Sequence, residues 1–387
     1  MTEAPRTLLI AGGGTGGHVI PALAVAREWV SRAAAPAGGA AGEAETRAAG
    51  SQSGERSVVF VGTELGLEAK LVPEAGFPLE TIRVAGLKGM GGAKLFRNLA
   101  KLPLALVDSE KILRRHRFAA AFGVGGYASG PMILLAQMHG LASVIFEPNV
   151  EAGFTNRVLA RTGARVACGF EETARRFGAR AVVTGIPVRR EFFSVPRREH
   201  GAPFRLLITG GSRGAHPINE AVVGALERLE PRKNQLFVVH QTGERDYNDV
   251  RVAYARREFQ AEVLPFIENM AERFALADLI VCRSGAITVA ELAAAGRAAI
   301  LIPFGAATDA HQARNAQALS TAGAARLLLQ DELTPERLAN EIFTLLDQPR
   351  RIAEMEERAR ALARPRAIAD IVDLLERPAR TGREVRP

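Results

Sequence analysis

The sequence predicts an α/β protein made of two doubly wound, Rossmann-like domains facing each other across a cleft. Three observations predict it. Short apolar runs alternate with amphipathic stretches along most of the chain, the pattern of repeated βαβ units. Leu8-Leu9-Ile10-Ala11-Gly12-Gly13 returns as Leu206-Leu207-Ile208-Thr209-Gly210-Gly211 at a constant offset of 198, with Gly16 falling on Gly214 and His18 on His216. The length of 387 residues also exceeds what one hydrophobic core usually organises. Two such openings place a ligand between the carboxyl ends of the two sheets.

The first half reads in order as a strand at Leu8–Ala11, a Gly loop, and a helix starting near Pro21. Strands follow at Val58–Gly62, Ala119–Val124, Ser143–Glu147, Arg165–Cys168 and Ala181–Val183. The second half restarts with Arg205–Ile208, Gln235–His240, Glu262–Leu264, Leu279–Cys282 and Ala299–Ile302, with helices between them. Domain limits follow: 1–188, then 189–364, then a helix over 365–376 expected to pack back on the first domain, then a loose basic tail over 377–387. Residues 33–57 read as a disordered insertion, because positions 33–50 alone hold nine Ala and four Gly without periodicity.

Composition narrows the function classes. Hydrophobic residues make up 47% and charged residues 24%, an ordinary globular mixture. Two cysteines, Cys168 and Cys282, exclude a disulfide scaffold and a multi-thiolate metal site, and read as small buried residues in a reducing compartment. Fifty Lys and Arg against 42 Asp and Glu leave a formal charge of +8, which favours an anionic partner. No apolar run approaches the ~18 residues of a membrane span. Leu8–Ala26 imitates a signal peptide, but Gly12, Gly13, Gly14, Gly16 and Gly17 interrupt it. A soluble, cytoplasmic chain is expected.

Gly12–Gly17 satisfies G-x-G-x-x-G between a strand and a helix, where backbone N–H groups and a helix N-terminus can cradle phosphate. A tight turn in any βαβ unit looks similar. Read as a dinucleotide site, it would need an acid after the second strand, and Glu64 is the candidate. Yet Gly123–Gly130 and Gly210–Gly214 are two further Gly loops, which suits more than one pyrophosphate. No Gly-Lys-Ser/Thr follows any of them, so an ATP P-loop is excluded.

Gly13-Gly14-Thr15-Gly16-Gly17-His18-Val19-Ile20-Pro21, Gly125-Gly126-Tyr127-Ala128-Ser129-Gly130-Pro131 and Gly210-Gly211-Ser212-Arg213-Gly214-Ala215 resemble the three Gly loops of the MurG family. These are peptidoglycan N-acetylglucosaminyltransferases of the GT-B fold. Glu147-Pro148-Asn149, Gly185–Arg189, Ser284–Glu291, and Asp309-Ala310-His311-Gln312 with Asn315 extend the match, in order, over about residues 7–345. The chain departs from the family at the 33–57 insertion and at Pro148, where many members have Gln.

The resemblance implies an inverting transfer of GlcNAc from UDP-GlcNAc to the 4-hydroxyl of the MurNAc sugar of undecaprenyl-diphosphate-linked lipid I. The product is lipid II, in cell-wall biogenesis, with its consequences for cell shape and division. It implies no cofactor and no metal, and a peripheral place on the cytoplasmic face of the cell membrane. His18 and Glu147 are the candidate bases, imidazole having the side-chain pKa nearest neutrality. A helix-entry or packing histidine is the plain alternative for His18. Thr15, Gly16, Gly17 and Asn149 match substrate-binding positions of the family. Ser212 with its loop N–H groups, and Arg189, match the residues that meet the donor phosphates. Ile267, beside Phe266, matches the uracil pocket, although either could equally be core. Ala286, Ile287, Thr288, Val289, Ala290 and Glu291 form the donor helix motif, with Glu291 accepting from the ribose hydroxyls. His311, Gln312 and Asn315 match the groups that reach the GlcNAc hydroxyls.

Lys94–Arg117 carries seven Lys or Arg against two acids, interleaved with Leu95, Phe96, Leu99, Leu102 and Leu106, and Pro103 must kink or restart the helix there. Such a stretch suits an anionic membrane surface, or else a core helix with a solvated basic side. Nucleic acid is not expected, since aromatic stacking platforms are absent. Three other readings stay open: a sugar-nucleotide-dependent transferase for another lipid acceptor, a dinucleotide-dependent oxidoreductase, and an idle sugar-nucleotide-binding protein.

Overall fold

A computed structural model describes residues 6–14, 16–33, 56–84, 102–305 and 310–377. Thr15, most of the Ala/Gly-rich insertion, Lys94–Lys101 and the tail beyond Arg377 lie outside the described residues. The chain divides into two compact units: Met1–Pro148 with Ala152–Pro187 and Arg366–Pro387, and Asn149–Glu151 with Val188–Pro365.

The first unit runs β1 (Arg6–Gly12), α1 (Gly16–Ser31), β2 (Arg56–Gly62), α2 (Glu68–Glu74), β3 (Leu79–Thr81), α3 (Leu102–Arg115) and β4 (Phe118–Gly125). It continues through α4 (Ser129–Met138), β5 (Ala142–Glu147), α5 (Phe154–Thr162), β6 (Arg165–Cys168), α6 (Glu171–Phe177) and β7 (Ala181–Val183). All strands are parallel, in the order β3-β2-β1-β4-β5-β6-β7. Helices on both faces leave no solvent side, which is why Leu8, Leu9, Ile10 and Ala11 form an unbroken apolar run and are all fully buried. Each large aliphatic side chain so buried contributes about 1.5–3 kcal/mol. Strand order reverses between β1 and β4. Their register slips after Ala11, setting Gly12 opposite Gly125 and bringing two Gly loops side by side at that switch point.

Two expectations need correction. Helix α1 begins at Gly16 rather than near Pro21, so Pro21 lies inside it and only the bond to the Gly17 carbonyl is forgone. Strand β2 starts at Arg56, which takes Arg56 and Ser57 out of the expected insertion. In the basic stretch α3 opens at Leu102, with Pro103 in its first turn, so Pro103 marks a helix start, one of the two outcomes expected there, and not a kink. The side of α3 that enters the core is Ala105, Ser109 and Ile112, while Leu102, Leu104 and Val107 face solvent.

The second unit opens with α7 (Arg190–Phe193), β8 (Phe204–Thr209), α8 (His216–Leu229), β9 (Leu236–Gln241), α9 (Tyr247–Arg256), β10 (Ala261–Leu264), α10 (Met270–Leu276) and β11 (Leu279–Cys282). It closes with α11 (Ala286–Ala295), β12 (Ala299–Leu301), α12 (Ala310–Thr321), β13 (Ala325–Leu327), α13 (Pro335–Leu346) and α14 (Pro349–Ala361). Its sheet, β10-β9-β8-β11-β12-β13, is also parallel and reverses between β8 and β11. Leu206, Ile208, Val238, Leu279 and Val281 pack with Leu338 and Ile342 in its core. Helix α15 (Ala367–Glu376) then rejoins the first unit, packing on α1, β4 and β5. Arg32 binds Asp373 at 2.7 Å, Glu376 at 3.0 Å and the Ala369 carbonyl at 3.0 Å. The fold class expected from the sequence holds: two parallel, doubly wound α/β units.

Candidate functional site

In the first unit the loops after β1 and β4 interlock through their backbones. Gly13 N–H donates to the Gly125 carbonyl at 3.3 Å. A Cβ on Gly126 would stand 2.3 Å from the Gly13 carbonyl oxygen, at a φ of +80°, so only glycine fits. His18, in the first turn of α1, lies partly buried against this pair. Its Nδ1–H donates to the Gly13 carbonyl at 3.2 Å, and a Cβ on Gly125 would come within 3.0 Å of its Nε2 edge. Burial lowers the pKa of His18, opposed by the Gly13 bond and by the charges of Glu147 and Glu68. The ring is therefore neutral at pH 7 and able to take a proton.

Glu147 ends β5 and is buried, its Oε2 accepting from Gly153 N–H at 2.8 Å and Asn156 Nδ2 at 2.9 Å. That engagement suits a fixed charge near His18 better than a proton acceptor. Glu64, the acid offered for a dinucleotide ribose, is exposed. The acid beside the loop is Glu68, which sequence reading missed. It is 1% exposed, and its carboxylate takes Gly14 N–H at 2.6 Å, Thr63 N–H at 3.0 Å and Thr63 Oγ1 at 2.8 Å. An anion already occupies a donor that a dinucleotide pyrophosphate would need. The signal in sequence was the pair Gly62 and Gly66 just ahead of Glu68, which makes room without marking its use.

In the second unit the Gly210–Gly214 loop follows β8, with Gly211 and Gly214 at φ of +89° and +73°. Ser212 is exposed at its tip, and among the described residues no protein group accepts the Ser212 or Arg213 backbone N–H. Across the strand reversal, α11 starts after Gly285 without a side-chain cap, so the first-turn N–H groups of Ala286, Ile287 and Thr288 add a second positive helix end. Val289 is buried behind them and Ala290 starts the second turn. Glu291 follows on the same helix. Burial pushes its carboxyl up to about 7 despite Arg189, whose guanidinium lies 3.6 Å away and stacks 5.0 Å from the Phe192 ring centroid.

The remaining predicted residues divide. His311 Nδ1 is buried without a hydrogen-bond partner among the described residues. Gln312 Oε1 accepts from Phe304 N–H at 3.1 Å. Asn315, expected to reach a sugar, is fully buried instead: it accepts from Val150 N–H at 3.0 Å and donates to Asn149 Oδ1 at 3.2 Å. Its amide thus fixes the Asn149–Val150 segment. Ile267 is buried with its N–H on Gln241 Oε1 at 2.8 Å, so of its backbone groups the carbonyl is the one suited to reading a base. Gly16 and Gly17 start α1, and Thr15 lies outside the described residues. Burial pushes both cysteine thiols up to about 12, so neither is a nucleophile at neutral pH.

Comparison with known proteins decides the family. Residues 51–168 match the glycosyltransferase family 28 N-terminal domain and residues 205–371 its C-terminal domain. The chain is 44% identical over 370 residues to a UDP-N-acetylglucosamine--N-acetylmuramyl-(pentapeptide) pyrophosphoryl-undecaprenol N-acetylglucosamine transferase of Myxococcus xanthus, covering 95% of this chain and 91% of that one. The chain belongs to the MurG family of glycosyltransferases. An Anaeromyxobacter relative of the same name is 45% identical over 95% of this chain and 92% of its own. The crystal structure of MurG from Acinetobacter baumannii superposes with a TM-score of 0.76 at 33% identity, over 96% of this chain and 99% of the other. The MurG likeness of the Gly loops therefore extends to the whole described fold.

Proposed function

We propose that this chain transfers N-acetylglucosamine from UDP-GlcNAc to the 4-hydroxyl of the MurNAc sugar of lipid I, with inversion, forming lipid II. The observation that carries the reading is membership of the MurG family across nearly the full chain, through relatives that bear this activity as their name. His18 Nε2 takes the hydroxyl proton. The freed oxygen bonds to the anomeric carbon as the bond to UDP breaks, and the electron pair leaves on the diphosphate. Glu147 favours the imidazolium that forms, while its Oε2 stays on Gly153 and Asn156.

The departing charge is met by the Ser212 loop, by the N-terminus of α11 and by Arg189. Glu291 accepts from the ribose hydroxyls, the Ile267 carbonyl reads uracil, and His311 with Gln312 reaches the sugar. Lipid I requires work at a membrane surface, and this chain supplies a peripheral contact on its cytoplasmic face, with the part in cell shape and division that wall synthesis carries. No described helix is long and apolar enough to cross a membrane. Leu106, Val107, Glu110, Lys111, Arg114 and Leu135 instead line a shallow depression of about 440 Å³, where Glu110 pairs with Arg114 at 2.6 Å and Lys111 adds a further cation, with Leu102, Leu104 and Met138 exposed. Apolar side chains among basic ones suit anionic headgroups.

Transfer of labelled GlcNAc to a lipid I analogue tests the reading. Labelled lipid II is the expected product. UDP-GlcNAc binding without turnover would leave an idle sugar-nucleotide-binding protein, and transfer only to a different lipid would change the acceptor.

A further inference from the structure

We propose that Glu68 is a positioning residue for His18, acting through the single peptide group between Gly13 and Gly14. Both ends of that peptide are engaged. Its N–H, on Gly14, donates to Glu68 Oε2 at 2.6 Å, and its carbonyl, on Gly13, accepts from His18 Nδ1 at 3.2 Å. The inference rests on His18 being the base of the proposed transfer.

The carboxylate occupies a built socket. Glycines leave the space: a Cβ on Gly13, Gly62 or Gly66 would come within 2.2, 2.6 or 1.9 Å of the Glu68 side chain. Thr63 holds Oε1 twice, by N–H at 3.0 Å and by Oγ1 at 2.8 Å, so the side chain is fixed independently of the loop it serves. A negative charge at the N–H end polarises the amide and strengthens its carbonyl as an acceptor. The Gly13 oxygen can only accept, so Nδ1 must carry the proton and the lone pair of neutral His18 falls on Nε2. Glu68 thus sets tautomer and ring orientation without touching the ring. Two acids bear on the imidazole, Glu68 from α2 and Glu147 from the end of β5, and both favour its protonated form while burial opposes it.

Glu68→Gln in the full chain removes the charge at nearly constant volume: the amide oxygen can still accept from Gly14, while the amide nitrogen gives up the bond from Thr63 N–H and can donate to Thr63 Oγ1 instead. Turnover should fall about tenfold, a small part of the roughly 10²–10⁴ that a general base supplies. UDP-GlcNAc affinity should be unchanged, and the acid limb of the kcat profile should move to lower pH. ¹⁵N-labelled imidazole spectra of the unsubstituted protein should show His18 with Nδ1–H, a readout that no folding failure of the variant can obscure. An Nε2–H tautomer there would overturn the proposal, as would a folded Glu68→Gln with the His18 titration of the parent. Should His18→Ala keep full transfer while Glu68→Gln still moves the His18 titration, the base assignment falls and the coupling to Glu68 stands.

Discussion

Gly12–Gly14 and Gly210–Gly214 leave equivalent strands at equivalent reversals of strand order, yet they present different chemistry. In the first, Gly14 N–H is held by the Glu68 carboxylate and Gly13 N–H by the Gly125 carbonyl. In the second, the Ser212 and Arg213 N–H groups have no acceptor among the described residues. The histidines that follow differ too. His18 lies in the first turn of α1, lodged against two Gly loops, whereas His216 opens α8, is half exposed and rests between Asp246 at 3.0 Å and Glu220 at 3.2 Å. One repeat of sequence therefore yields a neutral, constrained imidazole in one unit and an anion-ready loop in the other. An internal repeat preserves the backbone turn, while side chains from other elements decide its use.

The comparison can be broken most severely at His18. His18→Ala should lower kcat by roughly 10²–10⁴ while UDP-GlcNAc affinity in calorimetry stays near that of the parent. A parallel loss of affinity would mean that the histidine shapes a nucleotide site, and the contrast between the units would collapse.

Glu291 sharpens the donor side. Losing a charged acceptor for the ribose hydroxyls should cost about 1.5–3 kcal/mol of UDP-GlcNAc binding in Glu291→Ala. Burial raises this carboxyl to about 7, so the accepting carboxylate is lost as pH falls through that value. Affinity should accordingly weaken below neutrality and strengthen above it, and Glu291→Gln should flatten the dependence. A parent protein whose affinity is level across neutral pH would remove Glu291 from the ribose site.

The smallest effect is expected at His216, the counterpart of His18 in the repeat. Its contact with exposed Glu220 is worth about 0–1 kcal/mol, and buried Asp246 keeps its bond from Asn219 when the ring is removed. His216→Ala should keep kcat and lower the denaturant midpoint only slightly. A variant as inactive as His18→Ala, with donor binding intact, would show that position in the repeat rather than environment makes the base.

Much of the fold and part of the site were legible in the sequence, for different reasons. Strands buried on both faces must be apolar throughout, so Leu8–Ala11 and Leu279–Cys282 announce themselves, while the three-residue strands Leu79–Thr81 and Ala325–Leu327 are too short to show a period. The Gly loops were legible because a left-handed φ, as at Gly14 and Gly214, restricts residue type directly. Nothing local distinguishes Glu64 from Glu68, four residues apart on one loop and helix start. Glycines at 13, 62 and 66 meet only in the folded unit to make a socket for one of them. Asn315 likewise looked like a sugar-facing amide, and burial turned it toward Asn149 and Val150. Sequence by itself determined the parallel α/β units and where their Gly turns fall, because both rest on patterns within a few residues. Tertiary structure decided which carboxylate holds the loop, how His18 is oriented and where Glu291 titrates, since burial and pairing arise only when distant segments pack together.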